Sequence, residues 1–286
     1  MKVSENKIQS RAELKGFLEE KALLIRRDII KMIATAGSGH PGGSLSAADI
    51  LAVLYFHALR HDPANPNWPD RDRFVLSKGH AAPVLYAALA ESGYFERSEL
   101  WTLRRLGSRL QGHPDMLKLP GIEISTGSLG QGLAVANGMA LAAKMDGRDN
   151  SVFALIGDGE SQEGEIWEAA LFAAHNRLDN LVAVTDFNDL QIDGRVSEIK
   201  NICPIDAKWA AFGWHVICVD GHDVLQLADA FAEARLVTGK PVMIEATTVK
   251  GKGVSFMEDI VDWHGKAPAP EQMLSALREL GAADWE

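Results

Sequence analysis

Asp158 and Asn188 lie thirty residues apart, and each follows directly on a short apolar run. Val152 to Ile156 leads into Gly157-Asp158-Gly159, and Leu181 to Val184 leads into Asp186-Phe187-Asn188-Asp189-Leu190. A carboxylate and an amide oxygen are hard ligands suited to Mg²⁺ or Ca²⁺. Gly157 and Gly159 let a backbone come close to an anion, and the stretch after them is expected to offer free helix N–H groups. A divalent cation holding a diphosphate between the two turns meets all of these demands. The competing explanation is an ordinary turn with a surface Asp. Both halves of the pattern stand in the setting the chemistry needs, which disfavours it.

That setting is a strand–helix–strand unit. Short runs rich in Val and Ile are expected to form buried parallel strands, with Gln162 to Asn176 as the crossover helix between them. Both turns of such a unit leave at the carboxyl edge of the sheet, which makes Asp158 and Asn188 neighbours in space. The same reading along the chain predicts an amphipathic helix over Leu14 to Ala36 and a helix capped by Ser44 or Ser46 and running to about Leu59. It predicts a strand at Arg73 to Leu76, an alanine-rich helix after His80 and a weaker helix over Glu96 to Leu106. A small-residue helix opens at Ser125 to Gly132 and ends near Met145. Asn201 to Phe212 is a helix or turn, His215 to Val219 a strand, Val224 to Val237 a helix, Val242 to Val249 a strand and Glu271 to Leu280 a last helix. The alternation is that of an α/β fold with a doubly wound, mainly parallel sheet flanked by helices, in one domain over residues 1–286. Gly37-Ser38-Gly39-His40-Pro41-Gly42 matches the dinucleotide-binding glycine pattern by chance, because it follows a helix rather than a strand and carries Pro41.

The chain has 286 residues, 47% of them apolar, enough for a substantial core. A formal net charge of −10 argues against nucleic acid or an anionic membrane as the main partner. The two cysteines, Cys203 and Cys218, have no metal or redox spacing. Cys218 sits in an apolar run and is expected to be a buried thiol, in keeping with a reducing cytoplasm. The amino terminus shows no signal peptide, and no apolar run approaches membrane-spanning length.

His40, His80, His113 and His264 each stand beside a glycine at the end of an element. A lone histidine in a turn is usually just solvated. Four in this pattern suggest either zinc, for which neither a paired-histidine spacing nor a cysteine cluster is present, or a site for hydroxyls and phosphate oxygens.

Taken together, these segments resemble the transketolase family, specifically its amino-terminal, diphosphate-binding half. Gly157-Asp158-Gly159 followed thirty residues later by Asn188 is similar to the thiamine diphosphate motif. Ser38-Gly39-His40-Pro41-Gly42, Ser77-Lys78-Gly79-His80-Ala81, Gly112-His113-Pro114 and His264-Gly265 are similar to the family's four histidine segments. The resemblance implies that His40, His80, His113 and His264 face the sugar, with His80 and His264 also near the diphosphate. It implies that Gly127 and Leu129, within Thr126 to Gly132, touch the cofactor rings and that Ile192 packs on the thiazolium. Asp158, Asn188 and the Leu190 carbonyl would hold the metal, Mg²⁺ or Ca²⁺. Glu163, expected by the same resemblance among the cofactor-binding residues, and Glu168 match glutamates at the family's subunit interface. Ser128 stands where the family usually has Pro, and Gly43-Ser44 replaces an Ala-Pro type of continuation; neither change removes a ligand.

The resemblance runs from about residue 25 to 265. Full-length members carry a further domain that binds the pyrimidine and supplies the glutamate that activates the cofactor, and then a carboxy-terminal domain. No residue here matches that glutamate. The resemblance therefore implies the amino-terminal subunit of a two-chain transketolase, acting on sugar phosphates in a heterotetramer with a carboxy-terminal partner subunit that carries the pyrimidine-binding domain. The alternatives are a 2-oxoacid dehydrogenase α chain, a specialised sugar transketolase, a deoxyxylulose phosphate synthase and a non-catalytic cofactor-binding regulatory subunit. The four glycine-flanked histidines, suited to a polyhydroxylated sugar, weigh against the first and the last.

Overall fold

The computed structural model describes residues 10–282. Helix α1 (Arg11–Ala36) starts at a capping box, in which Ser10 and Glu13 each accept the other's backbone N–H at 3.2 Å. Such a cap is worth about 1 kcal/mol. Gly37, left-handed at φ 64°, ends the helix, so the glycine pattern that begins there caps a helix rather than opening a nucleotide loop. Leu18, Ala22, Ile25, Ile29 and Ile33 recur at helical spacing along the buried face.

The expected single helix up to Leu59 is instead three pieces: α2 (Pro41–Ser46), α3 (Ala48–Val53) and a π-helical turn over Leu54–Ala58. Neither serine caps it. Pro41 occupies the first turn, where its missing N–H costs nothing, and His40 takes the capping position without a side-chain bond. Ser44 Oγ donates to the His40 carbonyl at 2.7 Å, and Ser46 Oγ donates to Asp186 Oδ2 at 2.6 Å.

Strand β1 (Arg73–Leu76) is followed by α4 (Ala82–Glu91), a 3₁₀ turn over Arg97–Thr102 in place of the expected weaker helix, and α5 (Gln131–Met145). Next come β2 (Val152–Gly157), α6 (Gly164–His175) and β3 (Leu181–Phe187), then a small antiparallel hairpin of β4 (Leu190–Gln191) and β5 (Gly194–Arg195). The rest is α7 (Val196–Ile199), α8 (Ile205–Ala211), β6 (His215–Asp220), α9 (Val224–Ala234), β7 (Val242–Thr247) and α10 (Pro270–Glu279).

Five strands form one parallel sheet in the order β1-β2-β3-β7-β6. Successive side chains of a strand point to opposite faces, so the apolar runs of β2 and β3 feed two cores. Phe153, Leu155, Val182 and Val184 pack with α1, α3, α4, α9 and α10. Val152, Ala154, Ile156, Leu181 and Ala183 pack with α5, α6 and α8 on the other face. Strand β6 lies at the edge of the sheet, which is why Cys218 is exposed rather than buried as its apolar neighbours suggest. Because every strand runs the same way, the segments after Leu76, Gly157, Phe187 and Thr247 all emerge at one edge. No helix among the described residues is long and apolar enough to cross a membrane.

Candidate active site

At the carboxyl edge of the sheet the two turns meet as expected. Asp158 is 3% exposed. Its Oδ2 accepts the backbone N–H of Asn188 at 2.9 Å and of Asp189 at 2.5 Å, and its Oδ1 accepts that of Gly159 at 2.7 Å. Asp189 is left-handed (φ 56°), which bends the chain back so that both amides face the carboxylate. Burial and the nearby Asp186 push the Asp158 carboxyl up to about 6. Asn188 Oδ1 accepts from Leu190 N at 3.2 Å.

The glycine amides are not the anion donors that the motif suggests. The N–H of Gly159 is taken by Asp158, and that of Gly157 donates to Glu160 Oε2 at 2.9 Å. The segment after Asp158 is a 3₁₀ turn, and α6 starts only at Gly164. Cationic and imidazole side chains line the cleft instead. Lys250 Nζ donates to the Leu190 carbonyl at 2.6 Å and to His264 Nδ1 at 2.9 Å. Burial and the Lys78 ammonium lower the Lys250 pKa to about 8. The loop bearing Lys250 is held from behind: Val249 N donates to His222 Nε2 at 2.8 Å, and Arg26 Nε donates to the Lys252 carbonyl at 3.1 Å. Lys78 is buried against Asp186 and donates to the Gly43 carbonyl at 2.9 Å. Burial works to raise the Asp186 carboxyl, but Lys78, Ser46 and Thr248 override it and hold the group below the usual carboxylate range.

Three of the four glycine-flanked histidines converge. The rings of His40, His80 and His264 form a triangle with centroids 5.3–5.6 Å apart. Burial and neighbouring cations lower His40 to about 4 and His264 to about 3, and burial with Lys78 holds His80 well below 6.5. At neutral pH all three are therefore uncharged and can each donate and accept. His113 stands outside the triangle, exposed, and packs its ring on Gly127, where a Cβ would lie 3.1 Å from Cδ2. Gly79 lets His80 approach that same turn, since a Cβ there would be 2.7 Å from the Thr126 carbonyl carbon.

The cleft has a volume of about 470 Å³, within the range of small-molecule sites. It brings together His40, His80, His264, Gly127, Leu129, Gly157, Asp158, Gly159, Glu163, Asn188, Leu190 and Ile192, all singled out from the sequence. Ile192 is 67% exposed at its rim. Glu168 lies on an exposed part of α6, away from the lining. Lys78, Lys250 and Glu160 also line the cleft, and the sequence reading assigned them no role. Their signal was position: each follows closely on the carboxyl end of a parallel strand.

The donors present fit a diphosphate and a hard cation. His40 Nδ1 is buried with no hydrogen-bond partner, an arrangement a ligand hydroxyl would satisfy. Gly43 leaves the cleft open: a Cβ there would lie 3.6 Å from His80 Nε2 and 3.7 Å from Lys78 Nζ. Asp158 Oδ1 and Asn188 Oδ1 each keep an unused lone pair. The Leu190 carbonyl accepts from Lys250 and likewise keeps a second lone pair. Among the described residues no three His, Cys, Asp or Glu side chains gather as a metal site, so zinc gains no support from the histidine triangle.

Residues 19–284 match the family model described as transketolase, thiamine diphosphate binding domain. The chain is 50% identical over 263 residues to the 6-deoxy-6-sulfo-D-fructose transketolase subunit SqwG of Clostridium sp. (strain MSTE9), covering 92% of this chain and 96% of that one. It is 43% identical over 255 residues to an apulose-4-phosphate transketolase subunit of Phocaeicola vulgatus, covering 89% and 90%. Among solved structures it superposes on transketolase from Leishmania mexicana with a TM-score of 0.89 at 35% identity, over 94% of this chain and 42% of that one. The chain belongs to the transketolase family and carries its thiamine diphosphate-binding domain.

Proposed function

We propose that the chain is the amino-terminal subunit of a two-chain transketolase, which moves a two-carbon ketol unit from a ketose phosphate to an aldose phosphate. The observation that carries this reading is a single cleft holding both the Asp158–Asn188 pair and the triangle of neutral imidazoles. Thiamine diphosphate, when bound, supplies the electron sink for breaking a carbon–carbon bond beside a carbonyl. Asp158, Asn188 and the Leu190 carbonyl would hold Mg²⁺ or Ca²⁺ for the diphosphate. Lys250 would offset diphosphate charge in an acidic chain, while the Lys78 charge is already met by Asp186. His40, His80 and His264 hold sugar hydroxyls and exchange protons with them, uncharged between turnovers. His113 orders the Gly127 turn from outside and meets the sugar at the rim.

Two relatives of similar length are named as subunits, while the Leishmania transketolase is more than twice as long, which supports a separate partner for the pyrimidine side. Leu129 at the cleft, Met145 on α5 and Leu171 and Phe172 on α6 are exposed apolar side chains on the segments where that partner would dock in a heterotetramer. The relatives' names, which print 6-deoxy-6-sulfo-D-fructose and apulose-4-phosphate, support a specialised sulfosugar or sugar phosphate as the substrate. The free, exposed thiols Cys203 and Cys218 fit a reducing compartment such as the cytoplasm.

The test is reconstitution. The isolated chain with cofactor and Mg²⁺ gives no ketol transfer, and addition of the partner subunit restores it in a complex that light scattering sizes as two copies of each. Turnover by the rigorously isolated chain would sink the two-chain reading.

A further inference from the structure

Glu160 is a buried carboxylate, 3% exposed, on the wall of the cleft. Its Oε1 accepts from Ser77 Oγ at 2.5 Å and from Gly130 N at 2.9 Å, and its Oε2 accepts from Gly157 N at 2.9 Å. The three donors come from the end of β1, the left-handed turn before α5 and the end of β2. Next to each of these donors lies a group that faces the cleft: Lys78 after Ser77, Leu129 before Gly130 and Asp158 after Gly157.

We propose that Glu160 is a positioning residue for cofactor binding: one carboxylate ties three separate turns together and so sets the spacing of the groups that grip thiamine diphosphate. This rests on the reading of the cleft as a thiamine diphosphate site. All three partners arrive as donors, so the joint needs a group that only accepts, on both oxygens. Glutamine offers one acceptor oxygen and turns an NH₂ toward a donor on the other side. The packing leaves little room to adjust. A Cβ on Gly132, in the first turn of α5, would come within 2.5 Å of Ser77 Oγ, and one on Gly79 within 2.8 Å of Gly127 N. Burial pushes the Glu160 carboxyl up, against the pull of its three hydrogen bonds. A carboxylate has no donor to offer a diphosphate, so its action passes through the turns it holds.

The test uses the full chain assembled with its partner, with Glu160→Gln and Ser77→Ala as variants. Calorimetric titration with thiamine diphosphate at fixed Mg²⁺ reads the affinity, and circular dichroism confirms that each variant is folded at the assay temperature. The wild type binds. Glu160→Gln raises the cofactor Kd by about 10- to 100-fold, the range seen when an orienting partner of a ligand is lost. Ser77→Ala, which removes one arm, raises it by about fivefold. At saturating cofactor kcat falls by no more than about threefold and the sugar KM stays near wild type, a split that a general loss of structure does not give. A folded Glu160→Gln with wild-type Kd overturns the proposal, as does a large loss of kcat at unchanged Kd. If Glu160→Gln does not fold, an unchanged Kd in Ser77→Ala overturns it alone. Failure of the wild type to bind thiamine diphosphate sinks the cofactor reading, and this inference with it.

Discussion

Asp158 Oδ2 accepts the backbone N–H of Asn188 at 2.9 Å across thirty residues of chain. The two candidate metal ligands are thus joined before any cation arrives, and displacing one turn displaces the other. Two oxygen side chains and a carbonyl are too few for a tight all-protein Mg²⁺ cage, since Mg²⁺ takes six oxygens and draws several from phosphate and water.

Metal and cofactor should accordingly bind with positive and reciprocal coupling. Asp158→Asn keeps the shape and removes the charge. Calorimetry should show thiamine diphosphate affinity reduced by about 10- to 100-fold in this variant, with most of its dependence on Mg²⁺ gone. Unchanged affinity, or no metal dependence in the wild type, would discard the site assignment.

Cofactor affinity should depend on pH on both sides of neutrality. A metal needs Asp158 ionised, and burial with Asp186 raises that group to about 6, so affinity falls as pH drops through 6, by about tenfold per unit once below it. Lys250, lowered to about 8 by burial and Lys78, is cationic only below that value, so affinity also falls as pH rises through 8. The signs follow from which form binds: deprotonated Asp158 and protonated Lys250. Titrations from pH 5 to 9.5 should show both limbs, with the alkaline limb absent in Lys250→Met. A flat profile, or an alkaline limb that survives in Lys250→Met, counts against these roles.

His40→Ala, His80→Ala and His264→Ala should each lower turnover or substrate affinity by about ten- to hundredfold, the loss of one strong hydrogen bond in the transition state. His113→Ala, outside the triangle, should cost less. Steady-state kinetics of the assembled enzyme at saturating cofactor separates these outcomes, and wild-type kinetics in the three clustered variants would return them to solvated turns. Stability carries its own signature. The unfolded chain protonates these imidazoles near pH 6.5, whereas folded His40 and His264 wait until about 4 and 3. Below 6.5 the unfolded state thus binds more protons, and their contribution to stability falls as pH drops from 6.5 toward 4.

Lys78→Met should be among the most destabilising single changes near the cleft. Asp186 is fully buried, and Lys78 is its charge partner beside the hydroxyls of Ser46 and Thr248. Removing one partner of a buried pair costs about 3–5 kcal/mol, because the other charge is left uncompensated. Ser10→Ala, at the cap of α1, should cost only about 1 kcal/mol. Denaturant unfolding of the two variants compares them directly; equal losses would show that the Asp186 charge is met by other groups.

Much of this was legible from sequence because it depends on local pattern. The apolar runs of β2 and β3 and the helical spacing between them placed Asp158 and Asn188 at one edge, since parallel strands joined by a helix can end nowhere else. The four histidine segments and the resemblance they carry were visible for the same reason: each is a short contiguous string. Local pattern misled where an element's neighbours decide the outcome. Cys218 has the apolar company of a core residue, yet β6 is an edge strand, and strand order is not written in any one strand. Only the tertiary structure separated His113 from the other three histidines, assigned the glycine amides to Asp158 and Glu160, and brought Lys78, Lys250 and Glu160 to the cleft wall. These are contacts between segments 27 to 108 residues apart or competitions for a single hydrogen bond, settled by which donor and acceptor the packed sheet leaves within reach.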